Sequence, residues 1–398
     1  MFYIIALSIW LVIHLYVGAS IISPMNLSLS YKIIAWAGVL ISYSLVPLIF
    51  TFRVAPPKPV FYQPLFWATF ILFGYITTLF PLLMAKDIAM WSWGKLGKYS
   101  SLNTQQGSVG FHSDLERRRN VTHQMNMGMM GITAALMLLG MYRAAAAPQV
   151  NRVEIPIQGL SKQLDGFKIA LISDIHISPT VHGDTVADIV RRVNELGPDL
   201  VAHTGDMVDG TVEEMAHDAE PLARLNARHG VFFVTGNHEY YWDLAGWQKV
   251  IKQFGHVTLN NEHRLVEHNG ARLLVAGVTD YSAGGHDPIH RSDPAKALEG
   301  APDHDYTIML AHQPRSVEAI FATGKVDLQL SGHTHGGQYF PWNFIVRFFH
   351  PVDPGLTDYK GMWVYLTRGS VYWGPPLRFG SPKEISLLVL RSAGAVGP

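Results

Sequence analysis

Residues 2–22, 33–52 and 61–84 form three long apolar runs within the first 84 residues of the chain. A helix of about 20 residues spans a hydrocarbon core of about 30 Å, and in lipid a helix pairs its own backbone N–H and C=O groups. The first run is interrupted only by Ser8, His14 and Ser20. It lacks the basic start and shorter apolar core of a cleaved signal peptide. Ala55-Pro56-Pro57-Lys58-Pro59 supplies a turn between the second and third runs. A fourth run over residues 125–141, rich in Met, Gly and Ala, is just long enough. Residues 1–148 are therefore expected to form an all-α transmembrane domain of four helices. His14 is expected to face another helix or the membrane interface, and Trp91 and Trp93 suit an aromatic belt.

The connection between the third and fourth runs carries Lys86, Lys95, Lys98 and Arg117-Arg118-Arg119, more basic residues than the Arg53 and Lys58 of the preceding loop. Basic loops stay in the cytoplasm. The fourth helix is then expected to leave it, placing everything after Arg143 outside the cytoplasm. The Arg triplet also resembles a twin-arginine export signal, but the usual flanking residues are missing. Ala144–Ala147 resembles a cleavage site, yet Pro148 directly after it reads as a linker.

Past Pro148 the pattern becomes short apolar runs alternating with helical stretches. Runs at 168–173, 200–204, 231–235, 273–278, 306–311, 326–330, 362–366 and 385–390 read as strands. Residues 184–196, 212–228 and 244–254 read as helices between them, which predicts an α/β core over residues 149–398. Asn269-Gly270 marks a hairpin. The 31 basic and 31 acidic residues cancel, so no nucleic acid partner is expected. Cysteine is absent. A metal here is thus held by oxygen and imidazole, which suits Mn, Fe or Zn.

Those apolar runs end in polar clusters: Asp174-Ile175-His176, Gly205-Asp206-Met207-Val208-Asp209, Gly236-Asn237-His238-Glu239, His312, and Gly332-His333-Thr334-His335. Alternate residues at a strand end project to one side, so Asp174 and His176 form a chelating pair. In an open α/β sheet the loops at the carboxyl ends of strands gather around a ligand.

This ordered set resembles the calcineurin-like metallophosphoesterase superfamily over about residues 165–391, with no ligand position substituted. Tyr240-Tyr241, Gln338, and Arg368-Gly369 ahead of Pro376-Leu377-Arg378 look like its membrane-anchored bacterial branch. The resemblance implies two mixed β-sheets sandwiched together and flanked by helices, with two divalent metal ions at one end. Asp174, His176, Asp206 and His335 would take the first ion, and Asp206, Asn237, His312 and His333 the second. Asp206 would bridge, one oxygen to each ion. Two such ions about 3.5–4 Å apart share a water, lower its pKa towards about 7 and clamp the oxygens of an in-line attack on phosphorus.

His238, outside the ligand set of the resembled family, is expected by the leaving-group oxygen, to donate a proton or to stabilise charge. Asp209 either supports His238 or a ligand histidine, or caps the helix after Thr211. Arg368 and Arg378 either bind substrate phosphate or form structural ion pairs. His203, His229 and His256, outside the motifs, are expected in the core or at the surface. The aromatic, apolar and basic stretch Tyr339–Phe349 is expected either to meet the bilayer or to pack as a loop.

The expected function is a membrane-bound dinuclear-metal phosphoesterase acting on phosphodiester, pyrophosphate or phosphomonoester bonds, with envelope lipids or lipid-linked molecules as substrates. One alternative is a general phosphatase or nucleotide phosphodiesterase merely tethered to the membrane. The other is a non-catalytic scaffold or transporter with a phosphoesterase-like sensor domain. An absence of charge within the first three runs argues against an ion pathway.

Overall fold

The computed structural model describes the backbone of residues 2–54, 58–100 and 108–393. Ala55–Pro57 of the expected turn, and the side chains of Arg53, Lys95 and Lys98, lie outside that set. The chain divides into two compact units. The first comprises Met1–Met141 with Gly374–Pro376, and the second Tyr142–Trp373 with the chain from Leu377 onward.

Four helices open the chain: α1 Phe2–Ile22, α2 Leu29–Val54, α3 Tyr62–Ser100 and α4 Ser108–Ala145. Each is long and apolar enough to cross a membrane. Helices α3 and α4 overrun the apolar runs, because good helix formers such as Ala, Lys and Met continue past Met84. The candidate span in α3 is Tyr62–Trp93, so it holds Lys86 and Asp87. This corrects the expectation that the third span carries no charge. The two charges neutralise each other: Lys86 Nζ lies 2.8 Å from Asp87 and donates to Asn126 Oδ1 at 2.5 Å. Tyr16 donates to Asp87 at 2.6 Å and Asn126 Nδ2 to the Ser20 carbonyl at 2.7 Å, tying α1, α3 and α4 together. His14 bonds the Trp10 carbonyl and Ser42 of α2, a helix-to-helix contact.

The second unit contains two six-stranded sheets. One runs β1 (Gln149–Gln158), β12 (Glu384–Ala393), β2 (Lys168–Ile172), β3 (Leu200–His203), β4 (Val231–Phe233), β5 (Val257–Thr258). The other runs β10 (Gly355–Tyr359), β11 (Met362–Leu366), β9 (Leu328–Ser331), β8 (Tyr306–Leu310), β7 (Ala271–Gly277), β6 (Glu262–His268). Both are mixed. β2–β5 are parallel while β12 meets β2 antiparallel, and β7, β8, β9 and β11 are parallel with antiparallel β6 and β10 at the edges.

Period-two alternation builds the layers. Ile169 and Leu171 of β2 face the same core as Leu273 and Val275 of β7, between the sheets. Ala170 and Ile172 face the opposite way, onto helices α5 (Gly183–Glu195), α6 (Val212–Ala219) and α8 (Leu244–Gln253) through Val186, Ile189, Met215, Trp247 and Ile251. Leu274 and Ala276 cover the outer face of the second sheet with Val317 and Ile320. Burial on both faces is why these strands read as unbroken apolar runs.

One expectation needs correction. The helix expected over 212–228 stops at Ala219 and becomes a 3₁₀ turn over Glu220–Arg224, because Pro221 cannot continue the α ladder. Strand β1 follows Pro148 directly although it contains Pro156. It is an edge strand paired only with β12, where a missing N–H is tolerated.

Candidate metal centre

Every expected ligand lies just past a strand that belongs to a parallel pair. Asp174 and His176 follow β2, Asp206 follows β3, Asn237 follows β4, His312 follows β8, and His333 and His335 follow β9. The strands deliver the loops, but the loops aim the side chains. β2 ends at Ile172, so Asp174 and His176 are not on a strand pleat. Instead Asp174, His176, Asp206, His333 and His335 all adopt left-handed backbone, with φ of 55°, 49°, 52°, 75° and 51°. That conformation disfavours L side chains by about 1 kcal/mol or more each. The surrounding packing holds it, since Asp174, His176 and Asp206 are 0–2% exposed.

Two close approaches shape the turns. A Cβ on Gly205 would stand 2.8 Å from Gly236 Cα, and one on Gly236 2.8 Å from Asp206 Cγ, so only glycine fits where the two motif loops cross. Glu239, fully buried on the short helix α7 (Asn237–Tyr241), locks that crossing. Its carboxylate accepts from the backbone N–H groups of Asp206 (3.1 Å), Met207 (2.7 Å) and Gly236 (2.6 Å). The sequence displayed Glu239 within its motif but gave no sign of this role.

The side chains converge in two principal groups. Asp174, His176 and His335 form one: His176 Nε2 lies 3.0 Å from His335 Nε2, and Asp174 Oδ1 lies 4.0 and 3.6 Å from those nitrogens. Asp206, His312 and His333 form the other, with His312 Nε2 3.1 Å from Asp206 Oδ2 and 3.2 Å from His333 Nδ1. Asp206 Oδ2 also faces His176 Nε2 at 3.7 Å, so one oxygen addresses both groups. The other, Oδ1, accepts the His238 backbone N–H at 2.9 Å.

The donor set suits divalent cations. Asn237, 5% exposed, has a buried Oδ1 with no hydrogen-bond partner, a lone pair that a cation would satisfy. His312 Nδ1 donates to the Thr204 carbonyl at 2.7 Å and His176 Nδ1 to Asp209 at 3.3 Å, which leaves each Nε2 lone pair facing the cluster. Asp174, His176, Asp206, Asn237, His312, His333 and His335 would hold the ions.

Electrostatics show how strongly the cluster calls for positive charge. Burial pushes Asp174 up. Burial also pushes Asp206 up, but the charges of His312, His238 and His176 outweigh it and hold that carboxyl well below its usual range. Burial disfavours the His312 imidazolium, yet Asp206 overrides it and raises the group to about 10. Cation binding at His312 Nε2 therefore displaces a proton. His333 and His335 are held well below their usual range, first by burial, then by neighbouring positive charge from His312 and Arg378 respectively.

His238 is 8% exposed, with Nδ1 donating to Asp209 Oδ1. Its Nε2 lies 3.9 Å from Asp206 Oδ2, and His176, Asp206 and His238 make a third group whose donor atoms cluster. Asp209 therefore faces two histidines. It does not cap α6: Thr211 stands at that N-cap, and Glu214 accepts its N–H at 3.3 Å.

Both arginines have partners within the fold. Arg368 pairs with Glu384 at 3.1 Å. Arg378, 1% exposed, donates to the carbonyls of His335 (3.0 Å), Arg368 (2.8 Å) and Val371, and to His335 Nδ1 (2.8 Å). In place of a hand for substrate, the geometry shows a buried brace behind His335. Gln338 was also unassigned by sequence. It accepts the Trp373 N–H at 2.9 Å and donates to the Trp373 carbonyl at 3.0 Å, fixing Trp373 with its ring 5.6 Å from that of His238. His203 lies buried on β3, His229 pairs with His268 at 2.9 Å and His256 bonds the Leu222 carbonyl, all outside the clusters.

Residues 167–337 match the family model described as calcineurin-like phosphoesterase. A transmembrane protein with metallophosphoesterase domain from Danio rerio is 39% identical over 269 residues, 66% of this chain and 62% of that one. An uncharacterized metallophosphoesterase of Helicobacter pylori is 34% identical over 275 residues, 69% of this chain and 72% of that one. The chain thus spans less than two thirds of the length of the Danio rerio relative. Among solved structures, a dimetal phosphatase from Danio rerio superposes with TM-score 0.30 at 14% identity, over 53% of this chain and 90% of that one.

Proposed function

Because this chain belongs to the calcineurin-like phosphoesterase family, we propose that it is a membrane-embedded phosphoesterase that uses two divalent cations to hydrolyse phosphate esters. The observation that carries this reading is the convergence of six oxygen and imidazole donors from the loops after β2, β3, β8 and β9, beside an Asn237 oxygen after β4 that is buried without a hydrogen-bond partner. When bound, such cations polarise phosphoryl oxygens and lower the pKa of a shared water towards about 7. The chain's own residues do the rest. Asp206 Oδ2 joins the two groups. His238, kept protonated by Asp206 and Asp209, presents Nε2 to the leaving oxygen. Asp209 fixes the tautomers of His238 and His176. Glu239 holds the Asp206 and Asn237 loops in register.

The finer reading concerns place and substrate. Lys95, Lys98 and Arg117–Arg119, which lie in sequence between the third and fourth apolar runs, support a domain outside the cytoplasm of a bacterial inner membrane, and the four candidate spans support a substrate drawn from the bilayer, an envelope or lipid-linked phosphoester. Purified full chain in detergent, loaded with Mn²⁺ or Zn²⁺, is expected to hydrolyse bis(p-nitrophenyl) phosphate, and Asp206→Asn is expected to abolish turnover. No turnover with two equivalents of metal bound refutes the assignment. Because the chain has no cysteine, Glu299→Cys gives a unique label: reaction with a membrane-impermeant maleimide in intact cells supports the external location, and protection refutes it.

A further inference from the structure

Downstream of His335 the chain leaves an aromatic surface in water. The short helix Trp342–Ile345 and the 3₁₀ turn Val346–Phe348 present Trp342, Phe344, Phe348 and Phe349 at 41, 56, 81 and 62% exposed. Rings of this size dominate the packing of folded proteins when they are buried, and a contiguous exposed set marks a partner or membrane surface. None of the four belongs to the cores of the two sheets. Cationic groups are interleaved with the rings: Arg347 is exposed on the same segment, and Arg315 donates to the Phe349 carbonyl at 3.3 Å. Aromatic rings mixed with arginine is the composition of an element that lies in an anionic membrane interface.

The surface continues into the metal centre. The His350 ring stands 5.8 Å from that of the ligand His333. Closer in, half-exposed Trp373 and Tyr241 flank His238, with ring centroids 5.6 and 5.2 Å away. An apolar group leaving from the His238 side therefore meets aromatic surface.

We propose that the 342–349 segment is a bilayer-docking surface, through which the centre takes an amphiphilic phosphoester whose apolar tail stays among lipid while its phosphate reaches His238. This rests on the phosphoesterase reading and names the substrate class for it.

The test uses the full chain in nanodiscs of phosphatidylcholine and phosphatidylglycerol. Phe348→Cys carries an environment-sensitive fluorophore, with exposed Glu299→Cys as control, and lipids bearing nitroxide on the acyl chain serve as quenchers. Quenching and a blue shift at position 348 but not at 299 support docking. Absence of quenching at 348, with turnover of bis(p-nitrophenyl) phosphate intact, overturns docking and leaves the phosphoesterase reading standing. In a second arm, Trp342→Ser/Phe348→Ser is expected to lose about tenfold in kcat/KM on a long-chain phosphodiester, through KM. Its turnover of the soluble diester should match the parent, since neither exposed ring supports the core. Equal losses on both substrates, or a parent active on the soluble diester and inactive on the long-chain one, overturn the proposal, whereas a parent inactive on both substrates overturns the phosphoesterase reading instead.

Discussion

Asp209→Asn removes a charge that two histidines share while leaving the size of the side chain almost unchanged. Asp209 Oδ1 accepts from Nδ1 of both His238 and His176, the latter at 3.3 Å. Burial pushes the His238 imidazolium down, but Asp206 and Asp209 together outweigh it and raise the group to about 9. A hydrogen bond to a charged partner contributes about 1.5–3 kcal/mol, which at about 1.4 kcal/mol per pK unit corresponds to about one to two units. The sign follows from the role: the protonated ring is the form that donates to the leaving group, so lowering its pKa removes the acid at a lower pH. The alkaline limb of the kcat/KM profile should move down by about one to two pH units. His176 also loses its orienting partner, so metal affinity should fall by about tenfold or more. The assay is the pH profile on bis(p-nitrophenyl) phosphate at saturating metal, beside metal binding by calorimetry. An alkaline limb that stays in place under saturation refutes the acid role of His238, and unchanged metal affinity refutes the bracing of His176.

Other outcomes follow from the same geometry. Gly236→Ala drives a methyl into the Asp206 carboxylate and should destabilise the second unit by about 1–3 kcal/mol, read by thermal unfolding, with loss of bound metal by elemental analysis. Leu171→Ala, fully buried between the sheets, should cost about 2–5 kcal/mol in the same unfolding measurement with little change in metal content per folded molecule. Chelation should abolish turnover and readdition of metal restore it. Metal uptake near pH 7 should release protons from the centre, seen as a calorimetric enthalpy that depends on the buffer's ionisation enthalpy, because His312 is raised to about 10 in the metal-free cluster.

Much was legible because it is local. Four long apolar stretches dictate helices, and strands buried on both faces dictate unbroken apolar runs, so the two-part organisation and the alternating core could be read directly. Chemistry-bearing residue types at strand ends were equally plain. The errors came where context overrides pattern. Lys86 and Asp87 looked like the end of a span, yet the helix continues through them because each finds a partner on the bundle's interior. Asp209 reads well as a helix cap, and only the fold shows that Thr211 takes that place.

What the amino-acid order determined by itself was the inventory: which donors exist, in what succession, and that the chain must enter a bilayer to hide its first helices. What required the folded chain was the pairing. His333 and His335 are two residues apart but address different clusters, because left-handed turns at both positions send their rings in different directions. β1 and β12 begin 235 positions apart in register, Gln149 opposite Glu384, and Arg378 braces His335 from 43 residues along the chain. Such contacts depend on distances in space that no local pattern encodes, and there burial and hydrogen-bond satisfaction decided each side chain's role.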